Sequence, residues 1–244
     1  MNKAVLLRAL GLVLPGLVPF TGAAAAQFFG PTPYLSIDDS PLQPLLGSAL
    51  ALEDFSDGLL NLPGVSANAG TYAMAGPDPF VDSVDADDGA IDGSGTAGGS
   101  YYSGNVNGTI SFFFDPQALG GLPTHVGIVW TDIGNVAGSS VGVDSVSFEA
   151  FGADGSPLGS SGPFVVGDGT ALGSAGTAED RFFGIVDAGG ISRISLTMAS
   201  SADWEVDHLQ FGGLAPVPLP AAAWLFGSGL AALALRRRRA AVAR

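Results

Sequence analysis

Short bursts of apolar residues, separated by glycine-rich and acidic stretches, run through the second half of the chain. Within Val146–Ala150 and again within Ile194–Met198, apolar residues occupy every second position and polar residues lie between them. This period of two is typical of antiparallel strands that pack on one face, and no stretch between the two ends of the chain sustains a helical stripe. The bursts predicted to be strands are Val106–Phe114, His125–Thr131, Val143–Phe151, Arg181–Val186, Ile191–Met198 and Trp204–Phe211.

Turn-forming residues separate these bursts. They are Asp115-Pro116, Asp154-Gly155, Gly167-Asp168-Gly169 and Ala188-Gly189-Gly190. Many short strands joined by glycine-rich turns predict an all-β fold, a two-sheet antiparallel β-sandwich, for which we expect jelly-roll topology. The proline-rich stretch Gln27–Leu50 is expected to be an irregular surface segment that precedes a first strand near Leu52–Phe55.

Both ends of the chain differ in pattern from this middle part. At the start, Lys3 and Arg8 precede the apolar stretch Ala9–Phe20, and Ala24-Ala25-Ala26 offers a small-residue cleavage site before Gln27. This order predicts a secretory signal peptide over residues 1–26, which signal peptidase would remove. At the other end, Val217–Leu235 carries no charge and as a helix would span roughly 28 Å, about one hydrocarbon core. Arg236-Arg237-Arg238-Arg239 follow and would stay in the cytoplasm; the alternative is a buried C-terminal helix.

The C-terminal segment, residues 216–244, resembles the PEP-CTERM sorting signal of Gram-negative bacteria. The resemblance lies in Val217-Pro218-Leu219-Pro220, the apolar run through Trp224, and the arginine block, in the family's order. Leu219 departs from it, since the name-giving motif has Glu there. The resemblance implies processing by an exosortase, a transient inner-membrane anchor, and a setting in extracellular polysaccharide or biofilm matrix. The stretches Thr124–Asp132, Ser147–Gly155 and Thr177–Gly184 are similar to a domain common among such proteins, which brings no established activity.

The part between the two ends, about 189 residues in Gln27–Ala215, has the size of one domain, with its β-sandwich expected over residues 51–215. It is strongly acidic, because only Arg181 and Arg193 stand against all 23 acidic residues, a formal charge of −21. Such a charge excludes nucleic acid as a partner and favours divalent cations. The chain has no cysteine, so no disulfide stabilises it.

An aspartate-rich stretch, Asp82–Gly93, is the first candidate site. Its carboxylates would repel one another unless a cation lay among them, and oxygen ligands favour Ca²⁺. The spacing is not that of an EF-hand, and a solvated, flexible acidic loop is the alternative. The candidate ligands are Asp85, Asp87, Asp88 and Asp92.

The second candidate pairs the two ends of the predicted domain. Leu52-Glu53-Asp54-Phe55 and Val206-Asp207-His208-Leu209 resemble the opening and closing strands of jelly-roll modules, including carbohydrate-binding and MAM-type domains. In those domains the acidic residues often share a structural Ca²⁺, which implies Glu53, Asp54 and Asp207 as ligands. The alternative is that Asp207 faces water at a bulge or strand end.

No catalytic signature rises above its structural alternatives. The chain has no zinc-type histidine pair such as H-E-x-x-H. We therefore expect a non-catalytic module that binds glycan or calcium, with a polysaccharide hydrolase that uses paired carboxylates as the alternative. Tyr101 and Tyr102 follow a loop rich in glycine and serine and are the candidate glycan contacts, whereas Trp130 and Trp204 are expected in the core.

Overall fold

The computed structural model of the chain describes residues 25–75, 84, 98–103, 108–133, 145–165, 180–199, 204–215, 226 and 228–230. Within these ranges the protein is mostly β, with two antiparallel sheets that face each other as a sandwich. The strands are β1 (Gln27–Pro33), β2 (Ala51–Glu53), β3 (Val65–Ala67), β4 (Thr71–Ala75), β5 (Gly98–Ser103), β6 (Thr109–Phe114), β7 (Pro123–Ile133), β8 (Ser145–Gly152), β9 (Pro157–Val165), β10 (Arg181–Val186), β11 (Ile191–Ala199) and β12 (Trp204–Leu214). Two short helices, α1 (Gln43–Leu46) and α2 (Pro116–Leu119), and two 3₁₀ turns, Ile37–Asp39 and Gly47–Ala49, lie between strands.

The larger sheet has seven strands in the order β1-β10-β7-β12-β5-β4, and β2 pairs with β12 beside this path. The smaller sheet has five strands in the order β3-β6-β11-β8-β9. The predicted all-β sandwich is therefore confirmed. All six predicted strands are present, with ends shifted by a few residues except for β10, where the bounds agree.

Alternation along β8 and β11 shows why these segments become strands of a sandwich. In β8 every second residue is buried, and Val146, Phe148 and Ala150 point into the space between the sheets. Phe148 meets Phe183 of β10 in a stacked contact with ring centroids 6.1 Å apart, so the two sheets interlock through aromatic side chains. Burial of such a ring contributes about 2–3 kcal/mol to stability.

A second, smaller cluster lies on the opposite side of the seven-stranded sheet. This outer cluster consists of Tyr34, Leu42, Val84, Val129 and Phe182. Room for the Phe182 ring comes from Gly127 of β7 and Gly184 of β10, since a Cβ on these residues would lie 2.3 Å and 2.7 Å from the ring, respectively. The cluster exists because the chain before β2 folds over this face of the sheet.

This arrangement corrects the prediction for Gln27–Leu50. Rather than an irregular segment, it contains β1, which pairs with β10 at the sheet edge, and a helical stretch that buries Leu42 completely. Thr32 and Pro33 pair across a break in the register, which interrupts the alternation that marks a strand in sequence. The sandwich therefore begins at Gln27, not at residue 51.

Most of the predicted tail lies outside the described residues. Phe226 and residues 228–230 are helical, but the sorting residues Val217, Pro218, Pro220, Trp224 and Arg236–Arg239 are not among the described ones, and neither are residues 1–24 of the predicted signal peptide. Of the helices that the structure does describe, none is both long and apolar enough to cross a membrane.

Candidate functional site

Glu53, at the end of β2, is buried, and its carboxylate accepts hydrogen bonds from three backbone N–H groups. Its Oε1 accepts the N–H of Phe55 at 3.2 Å, and its Oε2 accepts those of Asn61 at 3.0 Å and Leu62 at 3.3 Å. These bonds hold the loop after β2, in which Phe55 adopts a positive φ of 53° while its ring is fully buried. Glu53 thus stabilises the loop that follows it. Three of the roughly four acceptor positions of its carboxylate are used by these hydrogen bonds.

Asp54 and Asp207 lie in different surroundings from Glu53. Asp54 is partly exposed, and its Oδ1 accepts the N–H of Ser56 at 3.0 Å in a local turn. Asp207 pairs with Val129 of the outer cluster, whereas Glu53 pairs with Leu209 of the core. Since directly paired residues point to the same side of a sheet, Glu53 and Asp207 lie on opposite faces.

Asp207 is fully buried and connects β12 to the aspartate-rich stretch. Its Oδ2 accepts the N–H of Val84 at 3.0 Å, and its Oδ1 accepts that of His208 at 2.6 Å. Val84 lies inside Asp82–Gly93, so the structure brings the two acidic candidates of the sequence together at this residue. Asp85, Asp87, Asp88 and Asp92 lie outside the described residues.

Among the described residues, no group of three or more His, Cys, Asp or Glu side chains lies close enough together to hold a metal ion. Glu53, Asp54 and Asp207 do not form such a group by themselves, because the sheet separates two of them. A Ca²⁺ site that includes the aspartates after Val84 stays a prediction.

Next to Asp207, a buried chain of hydrogen bonds joins the N-terminal segment to β12. The Tyr34 hydroxyl lies 2.9 Å from Nδ1 of His208 and accepts from Nε2 of Gln210 at 2.8 Å. Ser40 donates to Oε1 of Gln210 and accepts the N–H of Leu42 at 3.2 Å. A bulge makes this possible, since His208 has a φ of 44° and the register with β7 shifts between Asp207 and Gln210. Sequence reasoning missed this network, although the polar residues in the last apolar burst were a signal for it.

Tyr101 lies on the core side of β5. Its ring packs against Phe55 and Phe112, with centroids 5.3 and 5.6 Å away, and Gly70 leaves space for it. Burial raises the pKa of the Tyr101 phenol. The side chain of Tyr102 lies outside the described part of the structure. A glycan contact by either tyrosine stays a prediction, and for Tyr101 the core packing limits how much of the ring a ligand could reach.

A different aromatic surface lies on the outer face of the five-stranded sheet. Arg193 of β11 pairs with Phe113 of β6 on one side and with Phe151 of β8 on the other. Its Cζ atom lies 3.6 Å from the centre of the Phe151 ring and 5.7 Å from that of Phe113, both within the range of a cation–π contact. We call these three residues the Arg193 row.

Polar side chains continue this face beside the Arg193 row. In the next pairing position Ser111 and Ser195 share a hydrogen bond of 2.7 Å between their hydroxyls, and Glu149 of β8 pairs with Ser195. One position further, Thr109 and Thr197 are exposed and their hydroxyls lie 2.8 Å apart. The face therefore combines flat aromatic surface with hydroxyl, carboxylate and guanidinium groups, which are the groups that bind sugars.

A scan of the chain against models of known protein families finds no match, and a search of curated proteins finds no significant one.

Proposed function

We propose that this chain is an exported surface or extracellular-matrix protein whose β-sandwich is a non-catalytic module that binds polysaccharide. The single observation that carries the binding role is the Arg193 row. Phe113 is 37% exposed in the middle of a sheet face, and with Phe151 and the Arg193 guanidinium it forms a continuous aromatic and cationic surface. A partner with apolar C–H surface and many hydroxyl groups would cover it.

The topology also supports a jelly-roll arrangement as part of this proposal. β2 pairs with the last strand, β12, and the chain passes from sheet to sheet between β10, β11 and β12. Jelly rolls are built in this way, and glycan-binding modules are frequent among them.

A binding screen tests the proposed function. The purified protein is incubated with a panel of neutral and acidic polysaccharides, and retention is measured by affinity electrophoresis. We expect retardation by at least one polysaccharide, reduced when Phe113 is replaced by serine. If no polysaccharide retards the protein, the binding role is wrong.

Export and exosortase processing form the second part of the proposal, and the pattern of the tail supports it. Replacement of Arg236–Arg239 by alanine is expected to weaken membrane retention and processing, because the positive block no longer resists translocation. The matched control replaces the same four residues by lysine, which keeps the charge. Fractionation and immunoblotting report both products; unchanged processing in the alanine variant contradicts the stop-transfer role.

The alternative of a polysaccharide hydrolase has its own observation, the fully buried acids Asp180, Glu205 and Asp207. A glycosidase needs two carboxyl groups about 5–10 Å apart in a cleft that substrate can enter. Complete burial favours a structural role for these three. An assay for release of reducing ends from polysaccharides tests this alternative. Activity that is present in the unmodified protein and lost in Asp207→Asn would support a hydrolase.

A further inference from the structure

The guanidinium of Arg193 is held in place without using its hydrogen-bond donors. It stacks on Phe151 and lies beside Phe113, and within the described part of the chain no hydrogen bond or ion pair satisfies it. Its Nε is buried and has no acceptor. Because a stacked guanidinium keeps its N–H groups in the plane between the rings, they are free to meet a planar acceptor from outside.

The charge of the domain indicates which kind of hydrogen-bond acceptor Arg193 would bind. Arg193 is one of only two cations between Gln27 and Ala215, against 23 acidic residues. In such a domain an arginine that served only to hold the fold would be expected to pair with one of the many carboxylates. Glu149, the acid nearest in register, lies opposite Ser195 in the pairing of β8 with β11, and no ion pair between Glu149 and Arg193 is found among the described residues. The positive charge on this face is therefore left for a ligand.

We propose that the Arg193 row binds the carboxylate-bearing pyranose units of an acidic polysaccharide. The uronate carboxylate accepts two hydrogen bonds from Arg193, in the bidentate geometry that suits this pair. The C–H surface of the same or the adjacent sugar packs on Phe113 and Phe151, and the threonine hydroxyls Thr109 and Thr197 bond to sugar hydroxyls along the face. This inference rests on the proposed function and names the ligand class of the same surface.

The net charge sets the conditions of the test. The full chain has a formal charge of −14, which repels a polyanion over the Debye length, about 30 Å at 0.01 M salt and about 8 Å at 0.15 M. Binding is therefore measured near 0.15 M ionic strength, where long-range repulsion is screened and the contact at Arg193 determines the measured affinity.

The experiment uses the full chain purified in detergent micelles and three polymers. Polygalacturonate offers pyranose rings with carboxylates, polyglutamate offers carboxylates without sugar rings, and dextran offers rings without charge. We expect polygalacturonate to bind at least tenfold more tightly than either of the others. Arg193→Gln should weaken that binding about tenfold or more, the size of a lost charge-assisted hydrogen bond, and Arg193→Lys should weaken it less.

Arg181→Gln is the matched control, because it removes the same charge from the other sheet. It should bind polygalacturonate like the unmodified chain, and circular dichroism and thermal unfolding confirm that each variant is folded. A competition on the unmodified chain needs no variant: free galacturonic acid should displace polygalacturonate, and galactose should not.

The outcomes separate this inference from the proposed function. Equal binding of polyglutamate, unchanged binding by Arg193→Gln, or equal competition by galactose would overturn the acidic-sugar ligand. Binding of dextran alone would do the same while leaving polysaccharide binding in place. If no polysaccharide binds, both proposals fail.

Discussion

Two neighbouring residues of β6 show how one strand supplies side chains both to the core and to the outer face of the sandwich. Phe112 and Phe113 are adjacent on β6, yet Phe112 is fully buried between the sheets and Phe113 is 37% exposed on the outer face. The sequence of three consecutive phenylalanines hides this difference, because each has the same hydrophobicity. Only the alternation of side chains along the strand assigns them to opposite faces.

Substitution of each phenylalanine by alanine tests this assignment. Phe112→Ala leaves a cavity in the core and should lower the free energy of unfolding by about 3–5 kcal/mol. Phe113→Ala should lower it by about 1 kcal/mol or less, because its ring already contacts water and loses mainly the cation–π contact with Arg193. Denaturant titrations of the two variants measure both values; similar losses would mean that the faces are assigned wrongly.

Glu53 gives a second prediction at the residue scale. Glu53→Gln leaves one acceptor oxygen where the carboxylate has two, so at least one of the three backbone N–H groups loses its partner. We expect a loss of about 1–3 kcal/mol in the free energy of unfolding. Asp54→Asn is the matched control, since its amide oxygen can still accept the single bond from Ser56, and it should change stability by less than about 0.5 kcal/mol. If Glu53→Gln leaves the free energy of unfolding unchanged, the loop after β2 does not depend on this carboxylate.

At the scale of elements, the sequence predicted the strands that are rich in apolar residues and missed strands at the sheet edges. β8 and β11 lie in the middle of the five-stranded sheet, and their alternation shows in the sequence. β9 lies at its edge and is mostly glycine, serine and proline, so its composition indicates loop. β1 also lies at a sheet edge, and its sequence, QFFGPTP, interrupts any apolar alternation with glycine and two prolines. Pairing with a neighbour, rather than intrinsic pattern, makes these segments strands.

For the candidate sites, the sequence likewise indicated individual residues but not their relative positions. A local motif pointed to Glu53 and Asp207, and both are buried polar residues with structural bonds. That they lie on opposite faces follows from the register between β2, β12 and β7, which no local pattern encodes. The Arg193 row has the same origin, because its three members come from three strands and meet only through sheet pairing.

The N-terminal segment yields a prediction at this scale. Leu42 is fully buried in the outer cluster, whereas Leu45 of α1, three residues later, is 57% exposed. Leu42→Ala should cost about 2–5 kcal/mol and Leu45→Ala about 0.5 kcal/mol or less, because only the first removes packed surface. Thermal unfolding compares the two. Equal, small effects would mean that the segment does not pack on the sheet and belongs outside the sandwich.

For the whole molecule, the excess of acidic residues is the largest unbalanced feature. A charge of −21 on one domain opposes folding through self-repulsion, and the domain has no disulfide to offset it. The Asp207 carboxylate accepts the N–H of Val84, which holds this residue of the aspartate-rich stretch against β12. The sequence leaves two alternatives for the stretch itself, a solvated acidic loop or a Ca²⁺ site.

Calcium dependence of stability distinguishes these two cases. If Ca²⁺ binds the aspartates after Val84, a concentration of 100 times the dissociation constant adds about 2.7 kcal/mol to the free energy of unfolding, and the melting temperature should rise by several degrees over that in chelator. Sodium chloride at equal ionic strength is the first control, because screening alone also relieves repulsion. A variant with Asp85, Asp87, Asp88 and Asp92 replaced by asparagine is the second, and it should gain stability without Ca²⁺ while losing the response to it. The same melting temperature in Ca²⁺, chelator and matched salt would remove the calcium proposal, and the acidic stretch would then be a solvated loop.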